Sequence, residues 1–483
     1  MSCIRLNLSP VNPAEIEGVS GMPNPTQREN AQPGTLDWQI TKFKFDYTPT
    51  QQGTLIRGLR SSAIEGYASR TSVYPGDSIE LKVSVHPECP FTVDMYRMGY
   101  YDGKGGRHQL HLGPFEGEEQ PMPMETVERL RECDWSSCTT IVIPDDWASG
   151  VYLAKLTRQA PPYAQSYIIF VVKQRRATEV LVQVSDLTWQ AYNKWPGVNS
   201  IYDDGTPELW YQGPNVRVGF DRPYSRYCQI VDAPLSSGSG EFLLWEFPLA
   251  YWLEAEGYDV TYCSNLDLHA DPSLLDNCRV FISVGHDEYW TREMYDHATA
   301  ARDKGVSLLF LSGNALYHEI IPYSSPGSAE SFRSFARKIR FTDEHELMGA
   351  RSYGPGYGDW TVAKPDHWVF EGTGMKAGDR IPGLIGWEYH GIPLKEIEGM
   401  ELLAHSELIG TGAVTEGDGK HAAVIYPGPH GNWVFNAGTI WWAEGLSSPP
   451  GHIPAVGTFG RVQGPDPRVQ RITRNLLNRC IGR

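Results

Sequence analysis

The stretch "FISVGHDEYWTREMYDHATAARDKG", Phe281 to Gly305, decides how the rest of the chain is read. An apolar strand, "CRVFISVG" (278–285), runs into a turn of His286, Asp287, Glu288, Tyr289 and Trp290, and an amphipathic helix leaves it. Thr291 stands where a helix N-cap belongs and Gly305 where the helix must stop. Gly, Ser or Asn make such a turn more readily. An imidazole, two carboxylates and two aromatics in their place point to chemistry.

Outward from this stretch, short apolar segments recur: "VLVQV" (180–184), "NVRVGF" (215–220), "YDVTYC" (258–263) and "VSLLFLSG" (306–313), with helical stretches between several of them. In "EFLLWEFPLAYWLEAEG" (241–257) apolar residues fall at 243, 244, 247, 250 and 253, and Pro248 kinks or starts part of the helix. Alternating strands and helices predict a mainly parallel sheet covered on both faces. Upstream the grain differs. "SIELKVSV" (78–85), "TTIVI" (139–143) and "GVYLAKL" (150–156) alternate apolar and polar residues, and "SYIIFVV" (166–172) is continuous. With turn signals such as "YPGD" and "PDDWASG" between them, they predict an antiparallel sandwich. The expected division is an irregular leader over 1–50, a β-sandwich over 51–175 and an α/β domain over 176–483.

Composition narrows the partners. The 483 residues carry 42 Lys and Arg against 58 Asp and Glu, a net charge of −16 without a basic run, so nucleic acid is excluded. No segment has the roughly 18 apolar residues that cross a bilayer. The N-terminus lacks a signal-peptide core, so a cytoplasmic protein is expected. Eight cysteines without a CxxC pair give neither a zinc ribbon nor a thioredoxin site. Cys133 and Cys138 are close enough in sequence to bridge, yet read as reduced core thiols.

Ligands of open α/β sheets bind beyond the carboxyl ends of the strands. Four candidate strand ends deliver His286 with Glu288, Asn314, "DRPYSRY" with Tyr224 and Tyr227, and "SDLTWQAYNKWPG" with Tyr192. No G-x-S-x-G elbow, P-loop, G-x-G-x-x-G or H-E-x-x-H accompanies them. The oxygen donors that remain suit a hard cation. A phenol must shed a proton of pKa near ~10 to bind, which a trivalent ion can drive. Two phenolates and a carboxylate neutralise such an ion and make its burial tolerable.

"SAIEGYASRTSVYPGD", "VDMYRMGYYDG", "DDWASGVYLAKL", "TWQAYNKWPG", "FDRPY", "GHDEYW" and "WVFNAGT" occur in this order between about residues 60 and 445. The ordered set resembles the large subunit of N,N-dimethylformamidase and its relatives. That resemblance implies an immunoglobulin-like β-sandwich followed by a glutamine-amidotransferase-like α/β domain. It also implies a mononuclear Fe(3+) centre, held by two tyrosines and one glutamate, that hydrolyses a small amide to an amine and a carboxylate. On the matching motifs Glu288 takes the carboxylate-ligand position, and His286 stands near the bound water. Asn314 in "LSGNA" becomes a pocket residue and Glu388 in "LIGWEYHG" a proton shuttle. Tyr192 in "WQAYN" and Tyr224 in "DRPY" are taken as the phenol ligands, with Tyr202 and Tyr227 as alternatives. Trp189, Trp195, Tyr289 and Trp290 are expected to wall a small, water-poor pocket. A homo-oligomer or a small accessory subunit is left open. Two other readings compete: a ferrous oxygenase-type site of His286, Glu288 and His318, and a non-catalytic binding protein on the same scaffold.

Overall fold

Strands buried on both faces need cover on each side, and this requirement organises the chain. The computed structural model describes residues 22–44, 60–207, 210–228, 231–232, 234–324, 328–386, 388–393, 395–410, 419–452 and 464–483, with the side chains of 227–234 outside that description. It is a mixed α/β structure. The central sheet has seven strands in the order Val260–Ser264, Thr178–Val184, Cys278–His286, Ser307–Gly313, Trp433–Asn436, Lys420–Pro427 and Glu401–Glu407. The first five run parallel, Lys420–Pro427 runs against them, and Glu401–Glu407 pairs antiparallel with it at the edge. Period-two alternation sorts their side chains. Val180, Val182, Val280, Ile282, Leu309 and Leu311 face Leu249 and Leu253 of Phe247–Ala255 and Ile472 and Leu476 of Pro467–Ile481. Leu181, Phe281, Leu308 and Phe310 face Leu266, Met294 and Ala298 on the opposite side.

The helix signals in the opening stretch act as read. The Thr291 hydroxyl accepts from the Met294 amide at 3.1 Å. The helix Arg292–Asp303 then ends on Lys304 and Gly305, whose φ of +106° favours glycine. The 241–257 segment splits into Phe242–Trp245 and Phe247–Ala255, with Pro248 in a first turn where its missing N–H costs nothing.

One strand lies elsewhere than expected. Within 215–220 only Arg217–Gly219 is extended, and it pairs antiparallel with Ser334–Arg340. Those two join His318–Tyr323 and Tyr289–Trp290 in a second, four-stranded sheet. A strand with Arg217 at its start suits an edge, and Arg217–Gly219 is the edge here. Its carboxyl end therefore does not open on the central sheet's rim.

Ahead of the α/β unit, Ile64–Ala68, Ser78–Val85 and Ser137–Val142 form one antiparallel sheet. A five-stranded sheet of Ser72–Val73, Gln165–Val172, Gly150–Arg158, Phe91–Met98 and Gly106–Phe115 shares its core through Leu81, Val83, Val93, Met95, Ile168 and Phe170. The opposite face of that second sheet, with Tyr96, Met98, Leu153, Ile169 and Val171, continues the core of the α/β unit. Burial on both faces explains why "SYIIFVV" is apolar throughout. Cys133 and Cys138 are free thiols, the first packed with Tyr67, Trp135 and Trp195 and the second against the sandwich core. Among the described residues no helix is long and apolar enough to cross a membrane.

The described part of the leader is packed rather than loose. Trp38 is buried, and Glu29 of the helix Pro25–Asn30 accepts from Arg107 at 2.8 Å and from the Tyr101 hydroxyl at 2.7 Å. Nearby, Arg97 of the sandwich and Glu254 of the α/β unit form a fully buried ion pair at 2.8 Å. The Tyr262 hydroxyl (2.9 Å) and the Asn30 amide (2.7 Å) also donate to Glu254. Removing one member strands the other charge, so Glu254→Ala should cost about 3–5 kcal/mol of unfolding free energy in a urea titration. Loss below about 1 kcal/mol would show that the pair does not hold the two units together.

Candidate metal centre

The strand Cys278–His286 ends in Gly285, whose φ is +68° and whose missing Cβ would overlap Trp245. That left-handed step turns His286, Asp287 and Glu288 into three directions. Asp287 points beneath the sheet and accepts from Gln183 Nε2 (2.8 Å), Ser283 Oγ (2.9 Å) and Asn265 Nδ2 (3.2 Å). Burial raises its carboxyl to about 6 even though these donors pull the other way. Asp287 is thus the anchor of the turn. The Glu288 amide donates to Thr188 Oγ1 at 3.0 Å, which fastens the turn to the helix Asp186–Tyr192.

Thr188 and Tyr192 lie four residues apart on that helix and share a face, so the same contact brings the Tyr192 phenol over Glu288. Its hydroxyl donates to Glu288 Oε2 at 2.6 Å and lies 2.7 Å from the Tyr202 hydroxyl. The Tyr202 hydroxyl also donates to Glu288 Oε1 at 3.2 Å. Two phenols and one carboxylate therefore meet, all buried. Burial raises both phenols well above their ordinary pKa, and the neighbouring Glu288 charge raises them further.

On the other side of Glu288 stand the imidazole and the second acid. His286 Nε2 is 3.2 Å from Glu288 Oε2 and 2.5 Å from Glu388 Oε2. Neither approach has hydrogen-bond geometry, so both ring nitrogens of His286 and Glu388 Oε2 remain buried without a hydrogen bond. Burial pushes the His286 pKa down, but the Glu388 and Glu288 carboxylates outweigh it and hold the ring well above the usual range. Asn314 follows Ser307–Gly313 with φ +53° and leaves its Oδ1 unpartnered. Gly313 lies so close to the backbone of Glu388 and Ile440 that a Cβ there would overlap both. Glu388, at 12% side-chain exposure, is the most open of the His286, Glu288 and Glu388 group, whose ligand atoms all lie within 4.8 Å of one another. His318 Nε2 stands 3.5 Å from Glu288 Oε1, and burial depresses its pKa to about 3.

Of the residues singled out from the sequence, Tyr192, Glu288, His286, Glu388 and Asn314 come together, and His318 joins them. Tyr224 does not. Its ring packs edge-on to Trp189 at 6.2 Å, in a separate small cavity with Gln190, Asp186 and Arg222. The second phenol at Glu288 is the alternative, Tyr202. The reason is topological: "DRPY" follows the strand that belongs to the other sheet. Its Arg222 instead donates to the carbonyls of Trp195 (3.0 Å) and Asn199 (2.9 Å), pinning the loop that carries Tyr202. Tyr227's side chain lies outside the described residues.

The expected aromatic wall is dispersed as well. Trp195 packs edge-on against Trp135 and donates to Glu65, Trp290 packs on Phe281, and Trp189 donates to Glu246. Only Tyr289 reaches the site, donating to the Tyr202 hydroxyl at 2.6 Å. The sequence reading missed Arg337, whose Nη2 donates to Tyr289 at 3.2 Å. Its signal was an arginine among the apolar residues of "SFARKIR".

The donor set fits a small, highly charged cation. The three oxygens lie 2.6, 2.7 and 3.2 Å apart as hydrogen-bond partners, close enough for hard donors that lose their protons to share one small ion. The ligand atoms of His286, Glu288 and Glu388 gather within 4.8 Å of one another, and Asn314 lies against Glu388 with its Oδ1 free of a hydrogen bond. Comparison with curated proteins gives no match. Residues 92–455 match the family described as N,N-dimethylformamidase beta subunit-like, C-terminal, and the chain belongs to that family.

Proposed function

We propose that the chain is a metal-dependent amidohydrolase that cleaves the C–N bond of a small N-substituted amide. In this reading Tyr192, Tyr202 and Glu288 hold a mononuclear Fe(3+), with Tyr202 in the place first given to Tyr224. The observation that carries it is the convergence of these three buried oxygens beside His286, Glu388 and Asn314. Membership of the family supports amide hydrolysis as the reaction class.

A ferric ion bound there would polarise the amide carbonyl and lower the pKa of a water. The chain's own groups supply the rest. Glu388, its carboxylate set 2.5 Å from the protonated His286, takes the proton as water adds its hydroxyl to the carbonyl carbon. Glu388 returns that proton to the departing nitrogen as the C–N bond breaks, leaving a carboxylate and an amine. The Asn314 Nδ2 group donates to the carbonyl oxygen as it becomes negative. Glu388 is the most exposed of the group, so the substrate enters from its side.

The proposal also adopts the immunoglobulin-like and glutamine-amidotransferase-like layout, with the domain boundary near residue 175. It places the protein in the cytoplasm. Association with copies of itself or with an accessory subunit belongs to the same reading, in line with the family's description as beta subunit-like.

The His286, Glu288 and His318 grouping supports a second reading, a ferrous site that uses oxygen. Elemental analysis and the visible spectrum of the purified chain separate the two. The ferric reading expects stoichiometric iron and a phenolate-to-iron charge-transfer band. Colourless iron with oxygen consumption supports the ferrous reading, and activity without metal removes both.

A further inference from the structure

Arg337, on Ser334–Arg340, is 2% exposed, and among the described residues no carboxylate lies within ion-pair distance of it. The contrast with its peers is instructive. Buried Arg97 pairs with Glu254, and buried Arg333 pairs with Asp221 at 2.7 Å. Buried Arg222 lacks a carboxylate, but its nitrogens are met by the carbonyls of Trp195, Asn199, Gly219 and Gln190. Arg337 has the Tyr211 carbonyl at 3.1 Å, the Gly213 carbonyl at 3.4 Å and the Tyr289 hydroxyl at 3.2 Å, and its Nε is unpartnered. Its guanidinium also lies over the Tyr202 ring, 4.7 Å from the centroid.

An uncompensated buried guanidinium costs several kcal/mol unless negative charge arrives nearby. The groups it touches are phenols, with the Glu288 charge beyond them. Tyr289 takes the Arg337 hydrogen bond and gives its own proton donor to Tyr202 at 2.6 Å, and Tyr202 points onward to Glu288. The donors thus run in one direction, from the cation to the oxygens that face the centre. Tyr192 has no link to the guanidinium except through Tyr202, 2.7 Å away, and donates directly to Glu288. The two phenols that meet Glu288 are therefore inequivalent by construction.

We propose that Arg337, acting through Tyr289, is a positioning residue that compensates negative charge on the Tyr202 oxygen and orients it toward the metal. The inference rests on the ferric reading of the same site. It makes the pair Tyr289 and Arg337 a device for metal retention and for tuning one phenolate against the other, without contact to substrate.

The test uses the full chain and three variants, read by elemental analysis and by the charge-transfer band. Tyr289→Phe removes a single hydroxyl. It should keep the fold and move the band to longer wavelength, because the Tyr202 oxygen loses the hydrogen bond that lowers its donor level. Arg337→Gln should weaken iron retention roughly 10- to 100-fold, the usual cost of losing a partner behind a metal ligand, and Arg337→Lys should recover part of it. If Arg337→Gln does not fold, Tyr289→Phe decides alone. A band and an iron content unchanged in Tyr289→Phe overturn the inference while leaving the ferric reading intact. A wild-type protein without iron or without the band overturns the ferric reading, and the inference with it.

Discussion

Glu288→Gln protein is expected to purify folded, colourless and inactive, with iron affinity lower by on the order of 10²–10⁴-fold. Charge sets the size of the loss. Two phenolates leave a trivalent ion with one uncompensated positive charge in a buried site, and Glu288 is the group that cancels it. Stranding a charge in a protein interior costs about 3–5 kcal/mol, which converts to that loss of affinity at 1.4 kcal/mol per decade. Shape is unaffected. The glutamine carbonyl still accepts from Tyr192, whose hydroxyl now lies 2.6 Å from Glu288 Oε2, and the backbone stays tied to Thr188. Metal retention and stability should therefore separate: iron by elemental analysis falls, while the midpoint of thermal unfolding of the metal-free proteins agrees within a few degrees. Glu288→Gln protein that retains iron and turns over an amide would falsify the assignment of this carboxylate as a ligand.

The residues the sequence located and those it missed differ in how far their placement depends on the chain nearby. Glu288 and His286 sit one or two residues beyond a strong apolar strand, so local pattern plus the rule that sites lie at strand ends was enough to place them. Asn314 was legible for the same reason, one strand over. Tyr192 follows a strand by a single short helix, and helical spacing carries it to Glu288. Tyr202 had no such guide. It lies in an irregular segment whose course is set by the Ile201 amide bonding the Ala191 carbonyl and by Arg222 reaching in from twenty residues downstream. Tyr224 misled because "NVRVGF" has the composition of a strand of the central sheet. Composition does not say which sheet a strand joins, and pairing with Ser334–Arg340 more than a hundred residues away decided that. Arg337 was invisible for the related reason that its partners, Tyr289 and Tyr202, are close only after the four-stranded sheet and the irregular segment that carries Tyr202 have formed. The same holds for residues 22–44, whose lack of pattern concealed a set of specific polar contacts to both later units.

The pair Tyr202→Phe and Tyr224→Phe puts that topological argument to an experiment with opposite expectations. Tyr202→Phe deletes an oxygen that touches the Tyr192, Tyr289 and Glu288 oxygens at 2.7, 2.6 and 3.2 Å. It removes a negatively charged donor and leaves the Arg337 and Tyr289 donors with nothing to support. Iron retention and amide turnover should each fall by at least about 100-fold, from the uncompensated charge alone. Any iron that remains has one phenolate instead of two, so the charge-transfer absorbance per iron should drop to about half. Tyr224→Phe removes a hydroxyl in a separate cavity beside Trp189 and Gln190. Iron content and turnover should stay within about twofold of wild type, the range of substitutions away from special features. The reverse result, with Tyr224→Phe losing the metal and Tyr202→Phe keeping it, would return the second ligand to "DRPY". It would also require the Arg217–Gly219 strand to deliver its carboxyl end to the central rim, against its pairing with Ser334–Arg340.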